Sequence, residues 1–163
     1  MHDQSVAVFD HFLGALSKVL AKAEAHCEAH KIDPAALLTA RLFPDMFTFT
    51  RQVQLATDFA KGPSARLAGV EIPSFEDTET TFGTLQARIA RTREFLAAIT
   101  PAMLDGAAMR TIRFRARGQD HEAPGQAYLS MVALPNFYFH TTTAYNILRH
   151  NGVELGKGDF VGR

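Results

Sequence analysis

Apolar positions recur along four stretches of the chain at alternating steps of three and four, the spacing of a helix that buries one stripe. The N-terminal stretch is the clearest: Val6, Phe9, Leu13, Leu16, Leu20, Ala23 and Cys27 keep to one line, while His11, Lys18, Lys22 and Glu28 fall off it. It predicts one long helix over about residues 5–30. Asp33-Pro34 signals a short helical turn, with Asp as cap and Pro in first position. Met46, Phe49, Val53, Ala56 and Ala60 predict a second long helix over about 44–61, with Asp45 in its first turn and Lys61 in its last, signs that suit the helix dipole. Gly62-Pro63 is expected to break or kink it, a few helical residues running on to Ala68 before Gly69. Phe82, Leu85, Ile89, Leu96 and Ile99 mark a third helix, with Thr92 as the one polar slot, Asp77 or Thr78 as cap and Pro101 as stop. A fourth runs from about Gln126 to Asn151, interrupted or bent at Pro135 and ended by Gly152.

Between the third and fourth helices the period drops to two. Ile112, Phe114 and Ala116 alternate with Arg113, Arg115 and Arg117, and Gly118 follows as a turn residue, the pattern of a short β-hairpin. With no internal repeat and no low-complexity tract, the expected fold is all-α: an antiparallel four-helix bundle carrying one hairpin, a single domain over residues 1–163. At that length one core buries most of the unfolded surface.

Charge and composition narrow the function. Seventeen Lys plus Arg balance seventeen Asp plus Glu, so the basic excess that phosphate-backbone binding requires is missing and nucleic acid is not an expected partner. The start of the chain has no basic, apolar leader and no apolar run reaches membrane-spanning length, so neither export nor insertion is expected. A lone Cys27 fits a reducing, cytoplasmic compartment. Thirteen Phe and zero formal charge favour a homodimer formed through helix faces.

In the fourth helix, Asn136, His140 and Thr143 step by four and three and share a face with Ala133 and Ile147. Polar groups on an inward stripe need partners, so they point at one another or at a ligand. In the second helix Phe49, Gln52, Ala56 and Phe59 have the same spacing, which places Gln52 on or beside the opposing core face. The other clusters read as ordinary surface. His26 and His30 stand four apart, but Cys27 lies on the core stripe and they do not. Arg110, Arg113, Arg115 and Arg117 could grip a phosphate or carboxylate, or simply form the solvated side of the hairpin. Asp58 and Lys61 can pair across three residues, a contact worth tenths of a kcal/mol, and neither they nor Arg51 and Asp45 on neighbouring turns are assigned chemistry. Gly156, Gly158 and Gly162 follow no strand and read as a C-terminal loop, no G-x-S-x-G elbow exists, and no cofactor is expected.

The stretch NFYFHTTTAYNILRHNGV, with RLFPDMFTFTRQVQLATDFAKG upstream, resembles an uncharacterised bacterial family, a domain of unknown function within the DinB/YfiT-like superfamily. ARLAGVEIP, LQARI and ELGKGDF extend the resemblance over nearly the whole chain. It implies an up-down-down-up four-helix bundle, often dimeric. In better-known members, one His of helix two and two His at i, i+4 on helix four hold a divalent metal, ahead of a closing LRxxGV-like turn. Here that turn is Leu148, Arg149 and Gly152-Val153, which puts the helix-four positions at Asn136 and His140. The helix-two position falls nearest Gln52, with Asp45 within about a turn. Amide carbonyls are weak ligands for the metals that imidazole sites favour, so no bound metal is expected. The expectation is a pocket between helices two and four that takes a small molecule, with His140, Asn136, Gln52 and Thr143 as ligand-binding residues and Phe49 and Phe59 as walls. Two alternatives stand beside it: a metal-dependent enzyme of the thiol-transferase or hydrolase kind, and a structural dimerisation module.

Overall fold

In the computed structural model, which describes residues 1–163, helix α1 spans Val6–His30 and buries the predicted stripe from Val6 to Cys27. It ends at Lys31, whose left-handed backbone lets its N–H reach the carbonyls of Cys27 and Glu28. Asp33 then caps the short α2, Pro34–Leu38, by accepting the Ala35 N–H at 2.9 Å.

Helix α3 occupies Phe49–Ala68, five residues later than the pattern predicts at its start and without the break predicted at its end. Both differences have local reasons. A start at Pro44 would need a cap at Phe43, which has no acceptor, whereas the Thr48 hydroxyl accepts the Arg51 N–H at 3.3 Å. Pro44 and Asp45 therefore lie in an exposed turn outside the helix. Pro63 remains inside α3 because residues 60–65 and Leu67 are all buried there, which offsets a local cost of about 3 kcal/mol. Gly69, at φ 71°, ends the helix where expected.

Helix α4, Phe82–Ala97, begins at Thr81 rather than Asp77 or Thr78. Thr81 and Thr84 satisfy each other's N–H groups, and the Asp77 carboxylate is engaged by Arg51 and Arg88 instead. Strands β1, Thr111–Ala116, and β2, Gln119–Pro124, pair antiparallel around Arg117-Gly118, with Ile112 buried and Arg113, Arg115 and Arg117 exposed. The last helical segment is α5, Gly125–Tyr128, a π-helical turn at Leu129–Ala133, and α6, Leu134–His150. The bend expected at Pro135 is this wider turn, which accommodates a residue that cannot donate to the ladder. Gly125 could not be any other residue: a Cβ there would sit 2.0 Å from the Ala107 carbonyl oxygen. The glycine-rich terminus is more ordered than a loop. It forms α7, Lys157–Val161, tied to α1 by Lys22–Asp159 at 2.6 Å and by His11 to the Val161 carbonyl at 2.9 Å.

The chain is thus mostly helical with one two-stranded sheet. Helix α3 packs against α6 and α4, while α1 packs against α4 and α6. Their stripes merge in one cluster of 32 buried apolar residues, centred on contacts such as Phe9 edge-on to Phe137 at 4.9 Å. No helix is long and apolar enough to cross a membrane.

One polar constraint crosses this interior. Arg88 of α4, its side chain 2% exposed, donates to Thr57 Oγ1 at 2.7 Å and to Asp58, the Glu76 carbonyl and Glu79 at 3.0 Å, with Asp77 at 3.1 Å. The Asp58–Lys61 pair foreseen from spacing is present at 2.9 Å and belongs to this network. Removing one member of a buried ionic network leaves the others unpaired. Arg88→Met should therefore lower the unfolding free energy by about 3 kcal/mol or more, read from urea denaturation. A loss below about 1 kcal/mol would show that water replaces the guanidinium without penalty.

Candidate functional site

Helix α6 carries His140 inward because Phe137, Thr141, Ala144, Ile147 and Leu148 of the same helix are buried and fix its rotation. Helix α3 brings Gln52 opposite, on the face shared with Phe49 and Ala56. The two meet: His140 Nδ1 lies 2.8 Å from Gln52 Oε1. An amide oxygen only accepts, so Nδ1 carries the proton and Nε2 keeps its lone pair. Gln52 Nε2 in turn donates to the Phe47 carbonyl at 3.4 Å, which fixes the amide's orientation.

Two rings frame the imidazole. Phe59 of α3 stacks on it at 5.4 Å and Phe139 stands edge-on at 5.3 Å. Burial pushes the His140 pKa down from 6.5 to about 4, the Arg51 guanidinium acts in the same direction and Asp58 opposes it. The group is neutral near pH 7.

The other predicted residues are placed differently. Asn136 is half-buried, and its Nδ2 donates to the Val132 carbonyl at 2.7 Å rather than to Gln52 or His140. Thr143 is buried, and its hydroxyl donates to the Phe139 carbonyl at 2.6 Å, inside its own helix. Phe49 is no wall of this site; it packs against Phe82 at 6.0 Å. Asp45 is exposed and outside α3, which removes it as a helix-borne ligand.

A cavity of about 550 Å³ opens beside the His140–Gln52 pair. Its walls are Phe59 and Pro63 of α3, Phe114 of the hairpin, and Tyr128, Val132 and Asn136 of the last helical segment. His140 and Gln52 do not line it, but Phe59 belongs to both, stacking on the imidazole and facing the cavity. Tyr128, Val132 and Asn136 step by four, a spacing that the sequence carries beside the stripe of Asn136, His140 and Thr143. Arg66 and Phe114 carried no such signal. A larger groove of about 840 Å³ between α1 and α4 contains none of the predicted site residues and is crossed by the Asp10–Arg93 ion pair.

The remaining clusters disperse. The rings of His26 and His30 lie tilted against each other at 4.3 Å, and His30 Nδ1 is engaged with the His26 carbonyl, while Cys27 is buried. Burial also pushes the Cys27 thiol up, away from thiolate reactivity. Arg110 caps α3 through the Leu67 carbonyl and Arg113 pairs with Glu122 at 2.6 Å.

Four long helices with a small antiparallel hairpin, and an imidazole on the last of them, define a DinB-like helical protein. A crystal structure of a DinB family member protein from Shewanella denitrificans is similar at a TM-score of 0.94 and 42% sequence identity, over 99% of this chain and 92% of that one. Residues 1–161 match the family described as Domain of unknown function (DUF1993), and the chain belongs to that family. No protein of curated function matches the sequence.

The donor set does not fit the three-imidazole metal site of the better-known superfamily members. Of the three positions only His140 is an imidazole, its Nδ1 is engaged by Gln52, Asn136 bonds to its own helix, and no three His, Cys, Asp or Glu side chains converge.

The lowered pKa of His140 has a pH consequence. Its unfolded imidazole takes up a proton near 6.5, the folded one near 4. Stability is therefore complete above the unfolded value and falls as the pH drops through that window, by up to roughly 3 kcal/mol at 1.4 kcal/mol per unit. His140→Gln removes the titration, so its unfolding free energy should vary less across the window than the wild type's. Parallel curves from chemical denaturation would assign the acid sensitivity to other groups.

Proposed function

We propose that this protein binds a small molecule in the cavity between α3 and α6, with the superfamily's metal site degenerate. The observation that supports it is the cavity itself: about 550 Å³, within the range of small-molecule sites, walled by Phe59, Phe114 and Tyr128 and bearing Asn136 as a polar group. On this reading the His140–Gln52 pair positions Phe59 from behind, and Thr143 supports α6. The chain then acts as one DinB-like domain over residues 1–163, with its long helices in up-down-down-up order. Phenylnaphthylamine, an uncharged aromatic fluorophore, should bind with one site per chain, and Ala116→Trp, which fills the cavity from the hairpin, should abolish binding while leaving the thermal midpoint within a few degrees. Unchanged binding in that variant would place the probe elsewhere.

Association is a second element of the proposal. Phe43, Phe47 and Phe139 are 64%, 55% and 55% exposed, and the last two flank the Gln52–His140 pair. Phe47 and Phe139, exposed at one locus, favour a homodimer through this face. One tag-free, chelator-free preparation tests both remaining points. Light scattering should give about twice the 17.9 kDa of the chain, and elemental analysis well under one equivalent of transition metal. A monomer mass would remove the dimer. One equivalent of zinc, nickel or iron that disappears in His140→Ala would favour the metal-dependent enzyme.

A further inference from the structure

The cavity between α3, α6 and the hairpin carries a charge imbalance that its apolar walls do not need. Three arginines line it, Arg66, Arg115 and Arg117, and none has a carboxylate within ion-pairing distance, whereas Arg51, Arg88, Arg93 and Arg113 all do. Arg66 reaches only the Tyr128 hydroxyl, at 3.3 Å, and Arg115 only the Gly118 carbonyl, at 3.1 Å. The one carboxylate of the lining, Asp58, is already engaged by Lys61 at 2.9 Å and Arg88 at 3.0 Å. Cations from two separate elements, α3 and the hairpin tip, thus border one concavity; Arg115 stands across the ribbon from Asp120, while Arg66 and Arg117 form no ion pair.

The hairpin turn supplies an independent observation. Arg117 sits at φ 51° and Gly118 at φ 78°, the left-handed pair of a two-residue turn in which Asn, Asp or Gly is ordinarily the first residue. A long β-carbon-bearing side chain is held in that sparsely populated region at the rim of the cavity, where a shorter residue would make the same turn with less strain.

Resting on the reading of this cavity as a binding site, we propose that its ligand is a small organic anion: a planar, apolar body seated against Phe59, Phe114 and Tyr128 and a carboxylate or phosphate held by Arg66 and Arg117. Guanidinium groups match both anions through paired N–H donors, and the aromatic walls exclude a bare inorganic ion as the best fit.

The test compares anilinonaphthalene sulfonate, an aromatic anion, with uncharged phenylnaphthylamine on the full chain. The anion should bind about tenfold more tightly, and Arg66→Gln and Arg117→Asn should each weaken it about tenfold, the effect of losing one charged hydrogen-bonding partner. Both variants should leave the uncharged probe within about twofold. Arg117→Asn keeps the turn, so its thermal midpoint should hold or rise while anion affinity falls, which separates lost binding from lost folding. Displacement by naphthoate identifies a carboxylate and by naphthyl phosphate a phosphate; either supports the proposal. Equal affinity for the two probes with no effect of the arginine variants would overturn the anion while leaving the cavity reading intact. Failure of both probes, or binding of both that ignores Ala116→Trp, would remove the cavity reading itself.

Discussion

The buried guanidinium of Arg88 is the constraint on which the arrangement of α3 depends. A cation 2% exposed is tolerable only if its donors are met, and they are met by Thr57 and Asp58 from α3 and by Glu76, Asp77 and Glu79 from the segment before α4. Gln54 extends the network to Glu79 at 2.7 Å, and Phe75 lies under Lys61, Arg88 and Arg91. Helix α3 therefore has two polar faces. One is fixed by Arg88; the other, set by that same rotation, turns Gln52 toward His140 and Phe59 and Arg66 toward the cavity. Because the connection between α3 and α4 has no regular backbone pairing of its own, the ionic contacts are also what hold it against the helices.

How much of this was legible follows from the kind of signal each element leaves. Helix α1 could be read nearly to the residue because its partners are apolar and periodicity reports apolar burial. The meeting of Gln52 and His140 could be anticipated because both lie on core stripes whose helices the family resemblance sets opposite each other. The start of α3 could not, since Pro44 and Thr48 both resemble helix beginnings and only the side-chain acceptor on Thr48 separates them. Arg88 was invisible for a different reason: it sits between Leu85 and Ile89 as a single cation, and its partners at 76–79 have no period. Asn136 satisfies its Nδ2 on its own helix, through the Val132 carbonyl, and a local bond of that kind leaves no trace in the spacing of apolar residues. The arginines of the hairpin divided into helix cap, surface pair and cavity rim, a division that depends on where the ribbon lies against α3.

The His140–Gln52 pair joins two long helices through polar chemistry instead of apolar packing. Helices α3 and α6 bring the two side chains together in the interior. What joins them is a single neutral hydrogen bond in a low-dielectric setting, capped by Phe59 and Phe139. The imidazole thereby becomes part of the wall's support.

The π-helical turn at Leu129–Ala133 gives the cavity a dependence on backbone winding as well as on residue type. An i→i+5 turn holds one more residue than the α-helical turn it replaces. That extra residue brings Tyr128 and Val132 above Asn136 along one side of the segment, although Gly125 is pinned at one end by Ala107 and α6 by the core at the other. Were the same residues wound as a uniform α-helix, the eight steps from Tyr128 to Asn136 would turn the phenol by about 100° relative to Asn136, taking it off the wall. The register of the wall is thus counted along the backbone before it is written in side chains, and straightening this turn into an α-helix would reshape the cavity while leaving every residue that faces it unchanged in kind.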